Sequence, residues 1–337
     1  MKIAVAAEAI GHRPRLGILT GEGGLYNGKN PNLIRFLTSE KNSDAYICPH
    51  NLKVIESDRG YMRYIRDLSE IKPVVLFNMG DFPRKQIAGN FIFIQTTHEV
   101  GRPIDTSRTV IVPLNVRTIS TKNRIWRNGE PIVSFVGQIP ELSAGRWVRS
   151  ILPIPPMPIE FSIPAPIRRN SALIRKFGAK KLMENEGGIT INRKFHGGST
   201  HHVLDTDWNR ALYENVMQNS DFIFSPRGDA NNSFRLYEAI SAGRIPVVPA
   251  TSIYLPSLKD IDLADLILVT NCLSGNLWSR VEEYWNQLDV NTFEDIQNYL
   301  RHIFKFHLSY QRYLPKLFDM SVDEIRSLKP IELKPSH

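Results

Sequence analysis

The chain has little cysteine: only Cys48 and Cys272 occur in 337 residues. Two thiols so far apart supply neither a disulfide framework nor a zinc-binding cluster. Long hydrophobic runs are also missing, and nothing approaches the roughly 20 apolar residues that span a bilayer. The opening MKIAVAAEAIGHRPRLG meets Glu8 before any plausible cleavage site, so it reads as a first strand and not as a secretory leader. No internal repeat is present. The lysines and arginines form no continuous tract and no RNA-binding signature, so no nucleic-acid partner is expected. Together these absences lead to the expectation of a cytoplasmic protein without a metal site.

The composition is that of a soluble globular protein, 42% hydrophobic and 23% charged. Forty-two basic residues against 34 acidic ones leave a net charge of +8. That excess points to anionic partners. It is dispersed, with local pairs at Arg168-Arg169, Lys180-Lys181 and Arg193-Lys194.

The length accommodates two domains, each with its own core. Short apolar runs at 2–7, 45–48, 74–78, 91–96 and 110–113 alternate with helical character at 31–38 and 58–70. In the second of these, Tyr61, Tyr64, Ile65 and Leu68 share one face. Such alternation predicts a parallel sheet flanked by helices. The polar stretch across 118–130 reads as an interdomain linker, and a strand at 132–136 opens the second domain. Six prolines in 151–170 exclude a helix or a central strand there, leaving a long surface excursion. Beyond it the pattern predicts a helix over LIRKFGAKKLME and a strand over ITINRKF. A helix over 208–217 follows, capped by Asp207, with Trp208, Leu212 and Val216 inward. A strand at 266–269 and helices near 276–287 and 292–310 complete the pattern, with a mobile tail beyond Pro330. The expected domains are 1–125, 130–290 and a helical C-terminal segment, 291–330, packing back across both.

The most informative stretch is SPRGDANNSFRLYEAISAGRIPVV, residues 225–248. An apolar strand, 221–224, breaks at Pro226 and Gly228. A helix restarts at Asn232-Ser233 and ends at Gly243, and a second apolar strand follows. A loop that feeds a helix N-terminus from the end of a strand collects anions on unpaired N–H groups. Arg227 in the loop and Arg235 in the first turn add positive charge where the helix dipole opposes it, which calls for a bound anion. Glu238, three residues after Arg235, shares its face and suits ribose hydroxyls. Both lie off the stripe of Leu236, Ala239 and Ile240, so replacing either is expected to leave the fold intact. The combination fits a nucleotide diphosphate held without a metal. The alternative is a surface ion pair on an ordinary βαβ unit.

The same string resembles the signature of exostosin-type glycosyltransferases through Arg227, Gly228, Ser233, Arg235, Glu238, Gly243 and Pro246. A weaker likeness, Ser134-Phe135-Val136-Gly137, lies where that family begins its nucleotide-binding domain, so the resemblance covers roughly 130–270. It implies a GT-B-like α/β fold, with two Rossmann-like domains facing a cleft, a nucleotide-sugar donor in the C-terminal domain, and inversion at the anomeric carbon. The implied protein is a hexosyltransferase-like enzyme of cell-surface polysaccharide synthesis with a glycan or lipid-linked acceptor. Its basic charge would then suit peripheral contact with an anionic membrane at the inner face. Two other readings stay open: a non-catalytic nucleotide-sugar-binding partner of an active transferase, and a basic α/β protein that binds nucleic acid.

An inverting transfer needs stabilisation of the leaving diphosphate and a base for the acceptor hydroxyl. Arg227, the backbone around Gly228 and Asp229, Ser233 and Arg235 are candidates for the first task, arginine because its planar fork pairs with phosphate. Arg146 and Arg149 are secondary cations. The base is expected in the first domain, in a loop after a strand. His98-Glu99 after FIFIQ leads, followed by Asp81 after VVLFN and His12 after the first strand. Three look-alikes carry less. Asp205-Thr206-Asp207 has the D-x-D form of metal-dependent transferases but sits at a helix start. Arg227-Gly228-Asp229 is better read as a phosphate loop than as an integrin-type tripeptide. His196, His201 and His202 lack a further ligand at metal-site spacing.

Overall fold

The computed structural model describes residues 1–6, 36, 38–79, 86–98, 104–119, 121–126, 129–139, 171–192, 207–228, 230–259, 261–271 and 273–333. The chain divides into two compact units. Unit 1 comprises Met1–Asn115, Tyr254–Asp260 and Phe306–Ile331; unit 2 comprises Val116–Ile253, Ile261–Lys305 and Glu332–His337.

Unit 1 is built on five parallel strands in sequential order: β1 (Ile3–Val5), β2 (Ala45–Asn51), β3 (Val74–Phe77), β4 (Phe91–Gln95) and β5 (Thr109–Ile111). All of β3, β4 and β5 is buried, as the unbroken apolar runs require of a sheet covered on both faces. Alternate residues sort cleanly. Tyr46, Cys48, Val74, Leu76, Phe91 and Phe93 meet α1 (Leu52–Glu56) and α2 (Arg59–Ile71) through Leu52, Ile55, Tyr61, Ile65 and Leu68. The opposite set, Ile47, Val75, Phe77, Ile92, Ile94 and Val110, packs on Tyr313, Leu314, Leu317 and Phe318 near the C-terminus. There is a topological reason for this division. Right-handed crossovers between sequential strands place their helices on one face, so the other face must be covered from elsewhere. Each fully buried phenylalanine in this sheet stabilises it by roughly 1.5–3 kcal/mol.

Unit 2 holds five parallel strands, β6 (Val133–Gly137), β7 (Gly188–Asn192), β8 (Phe222–Phe224), β9 (Ile245–Pro249) and β10 (Leu268–Thr270), in the order β7-β6-β8-β9-β10. Its helices are α3 (Ser171–Leu182), α4 (Asp207–Gln218), α5 (Phe234–Ala242), α6 (Leu277–Trp285) and α7 (Val290–Ile303). Two parallel sheets flanked by helices and a helical C-terminal region are the α/β class that the alternation of runs predicts.

Two expectations are corrected. The polar segment read as a linker is, where described, built into unit 2. Ile119 is buried in its core, Thr121 Oγ1 donates to the last carbonyl of α5 at Ala242, and Arg124 pairs with Asp221 at 3.2 Å. Trp126 stacks on Trp285 with ring centroids 4.1 Å apart. Its polarity serves helix ends and a buried ion pair, not solvent. The helix expected over 292–310 is interrupted: α7 ends at Ile303, a π-turn spans Phe304–Leu308, and α8 (Tyr310–Asp319) and α9 (Val322–Ser327) follow in unit 1. The interruption falls where the chain passes from one unit to the other, so α7 and α8 serve different cores.

Gly243 and Arg244 lock the end of the signature helix. Gly243 takes the left-handed conformation at φ 68°, which costs glycine nothing. A Cβ there would also overlap Arg301 and the Gln297 carbonyl. Arg244 is wholly buried and donates to the carbonyls of Met217, Gln218, Gly243 and Lys122 and to Gln297 Oε1, at 2.7–3.2 Å. Burial, then the neighbouring Arg301 charge, lowers its pKa to about 10 while Asp221 pulls it up, so it stays charged at neutral pH.

Candidate functional site

Strand order places the site in unit 2. From β6 the chain adds β7 on one side, then returns to add β8, β9 and β10 on the other. The reversal lies between β6 and β8, and ligands of open parallel sheets bind at the carboxyl ends of strands beside such a reversal. β6 ends at Gly137, and β8 runs into Ser225 and the signature loop.

The loop is held from within and from the segment after β9. Gly228 N donates to Asn232 O at 3.1 Å, and Asn232 Oδ1 accepts from Ser233 N at 2.7 Å. Asn231 Nδ2 donates to Ser252 O at 2.8 Å, and its Oδ1 accepts from Thr251 Oγ1 at 3.1 Å. Ser233 is the extended N-cap residue of α5, yet its side chain makes no capping bond. Its Oγ is buried, 3% exposed as a residue, and has no hydrogen-bond partner among the described residues. A serine usually earns the cap position by accepting a backbone N–H. Here the hydroxyl and the first-turn N–H groups of α5 mark one place where a ligand atom would satisfy both. Arg227 is 5% exposed and donates from Nε to Gly228 O at 3.2 Å.

Arg235 does not fit the alternative of a surface ion pair. It is half-buried, its Nε donates to the Val136 carbonyl at 2.5 Å, and its guanidinium carbon lies 5.0 Å from the centre of the Phe135 ring. A Cβ on Gly137 would overlap that guanidinium. The two short likenesses read from sequence therefore form one unit, in which the glycine ending β6 makes room for the arginine of α5. Spending Nε on a carbonyl sets the plane of the guanidinium and leaves the η nitrogens for phosphate recognition. Its replacement also removes packing, so the expectation that the fold would not notice does not hold for Arg235. Glu238 accepts a 2.5 Å hydrogen bond at Oε2 from Tyr213 Oη.

In unit 1 the carboxyl ends of β3 and β4 carry uncharged polar groups. Asn78 Nδ2 donates to Gln95 Oε1 at 3.2 Å, and Gln95 Nε2 lies 3.4 Å from His98 Nδ1. An amide nitrogen only donates, so in this pairing Nδ1 accepts and the neutral ring carries its proton on Nε2. The His98 ring meets Tyr254 edge-on at 5.5 Å. Thr97 is 2% exposed, and its Oγ1 has no hydrogen-bond partner among the described residues. At the end of β2, Tyr61 Oη is 2.8 Å from both Cys48 Sγ and His50 Nδ1. Burial pushes the Cys48 thiol up to about 11, against the pull of the Tyr61 and His50 hydrogen bonds, so it is no thiolate nucleophile.

A model of the RXYLT1 C-terminal domain matches residues 192–255. Exostosin-1 of Drosophila melanogaster is 38% identical over 115 residues, covering 28% of this chain and 15% of that protein. Over part of its length the chain is similar to an exostosin. The chain thus spans about one-seventh of that relative's length. The pneumococcal O-GlcNAc transferase GtfA, solved with UDP and GlcNAc, has a TM-score of 0.32 at 8% identity over 84% of this chain and 57% of its own. MnaA of S. aureus with UDP has a TM-score of 0.29 at 11% identity over 92% and 96%. Likeness that faint decides nothing about the site.

The signature segment brings Arg227, Gly228, Ser233, Arg235 and Glu238 to α5 and the loop before it, while His98 lies in unit 1. Glu99, Asp81, His12, Asp229, Arg146, Arg149, Asp205-Thr206 and the three histidines His196, His201 and His202 lie outside the described residues, as does Cys272. Asp207 begins α4 itself. Sequence reading missed Tyr213, Asn231, Asn78, Gln95 and Thr97. For Asn78 and Gln95 a signal existed, since each is the first polar residue after an apolar run. Tyr213 showed none, because a tyrosine on an amphipathic helix reads as core. Among the described residues no helix is long and apolar enough to cross a membrane, and no His, Cys, Asp and Glu group is placed to hold a metal.

Proposed function

We propose that the chain is a metal-independent, inverting glycosyltransferase that moves a sugar from a nucleotide-diphosphate donor to a glycan or lipid-linked acceptor in cell-surface polysaccharide synthesis. The observation that carries this reading is the clamped Arg235, fixed by Val136 O and Gly137 at the strand-order reversal, two residues after a Ser233 hydroxyl that has no hydrogen-bond partner among the described residues. Arg227, Arg235 and the first N–H groups of α5 take the diphosphate as negative charge develops on it. Glu238 takes the ribose. Fixed cations and N–H dipoles do here what a divalent metal does in other transferases.

The acceptor proton goes to unit 1, to the pair His98-Glu99 ahead of Asp81 and His12. The Gln95 contact supports a division of labour within the pair. With its proton on Nε2, His98 is a donor, and abstraction falls to Glu99.

The test is a thermal-shift screen of nucleotide sugars in EDTA, followed by turnover with the donor that stabilises and NMR of the product's anomeric centre. A specific donor raises Tm by mass action, and the product carries inverted configuration. A divalent-ion requirement would sink the metal-free reading. Donor binding without transfer to any acceptor would leave a non-catalytic partner, and salt-steep binding of DNA or RNA in place of nucleotide would favour the third reading.

A further inference from the structure

We infer that Tyr213 is a positioning residue that orients the Glu238 carboxylate for ribose, and so sets the preference for ribonucleotides over deoxyribonucleotides. The inference rests on the nucleotide site proposed above. Tyr213 comes from α4, the helix that leads into β8 at the strand-order reversal. Its side chain is 7% exposed and packs in the core with Ile119, Val136, Val216, Met217, Ile223, Ala239 and Ala242. The ring therefore has no freedom to follow a moving partner. Its hydroxyl donates to Glu238 Oε2 at 2.5 Å. Burial, then the Glu238 charge, pushes the phenol well above its ordinary range while Arg235 pulls it down. It stays protonated and can only give its hydrogen to the carboxylate.

The consequence is directional. An ionised carboxylate offers about four lone-pair positions in one plane. Tyr213 occupies one and fixes that plane against a rigid core. With that hydrogen bond in place, the ligand has less of the glutamate's rotational freedom to remove, at a smaller entropic cost. Glu238 lies one turn beyond Arg235 on α5, so a carboxylate fixed there meets the sugar of a nucleotide whose diphosphate is at the helix start.

The experiment measures dissociation constants of ADP, GDP, UDP and CDP, and of their 2′-deoxy and 3′-deoxy forms, for the wild type and Tyr213→Phe. Phenylalanine keeps the ring and the core. The wild type should prefer the best ribonucleotide to its deoxy forms by roughly tenfold, the worth of one hydrogen bond to a charged group. Tyr213→Phe should lose most of that preference by weakening the ribonucleotide alone. Glu238→Asp, which keeps the charge but draws the carboxylate back from the Tyr213 hydroxyl, should collapse the ratio with the phenol intact. A wild-type ratio in either variant overturns the inference and leaves Tyr213 a core residue. A wild type that binds ribo and deoxy forms alike also overturns it, while sparing the diphosphate site. Binding of no nucleoside diphosphate at all overturns the underlying site as well.

Discussion

The two sheets are built alike and end differently. Each shows five parallel strands among the described residues, but strand order in unit 1 runs in one direction whereas in unit 2 it reverses between β6 and β8. At the carboxyl ends of unit 2, described side chains bring two arginines and a helix start. At those of unit 1 they bring Asn78, Gln95, Thr97, His98 and His50, hydrogen-bonding groups with no fixed charge among them at neutral tautomer. Architecture therefore supplies a place, and the few residues at each strand end decide what chemistry the place can do. Two arginines suit a leaving diphosphate, and uncharged hydrogen-bonding side chains suit hydroxyls.

The sharpest way to break this contrast is at unit 1. Glu99→Gln should lower turnover by two or more decades, the usual scale of general-base catalysis, with donor affinity unchanged. His98→Ala should cost less than Glu99→Gln if His98 is a donor. Steady-state rates beside donor titrations separate the effects, and the reverse order would return the base to His98.

Next comes Arg235 in unit 2. Arg235→Ala should weaken nucleotide binding by about 2–3 kcal/mol, the cost of a charged hydrogen bond to phosphate. It should also lower Tm, because the Val136 carbonyl loses its donor and Phe135 its cover. Arg235→Lys restores charge without the fork and should recover only part of the affinity. Calorimetry and melting curves on both variants check this, and full binding by Arg235→Ala would reduce the residue to a structural clamp.

A glycine comparison is the third test. Gly137→Ala should displace the guanidinium and weaken nucleotide binding, with overpacking of about 1–3 kcal/mol in stability. Gly228→Ala meets open space on the described side chains and should leave the fold alone. Gly243→Ala should cost stability by a similar ~1–3 kcal/mol through its positive φ and overlap, but leave nucleotide affinity unchanged in the surviving folded fraction. Equal effects at Gly137 and Gly243 would mean that stability, not Arg235 placement, governs binding. The smallest expected change is with EDTA, which should leave donor affinity where it was in an isothermal titration.

Much of this was legible in the chain. The apolar runs located nine of the ten described strands of the two parallel sheets, each end within three residues, and β7 was read from ITINRKF, because buried parallel strands must be continuously apolar. The signature helix was legible because its glycine breaks, its arginines and its apolar stripe are all local. The linker was misread for a physical reason: a polar residue that satisfies a buried helix end looks like one that faces water. Tyr213, Gln95 and Asn78 act on partners 17 to 25 residues away or across strands, where no periodicity connects them.

By itself the sequence determined the two parallel α/β sheets and the strand, loop and helix of the signature with its two arginines, since each depends on residues close together along the chain. Only the tertiary structure decided that Gly137 makes room for Arg235, that Tyr213 holds Glu238, and that the face of β1–β5 opposite α1 and α2 is closed by Tyr313, Leu314, Leu317 and Phe318. Those pairings depend on strand order and on which side a crossover falls, and neither is written in the spacing of residues along the chain.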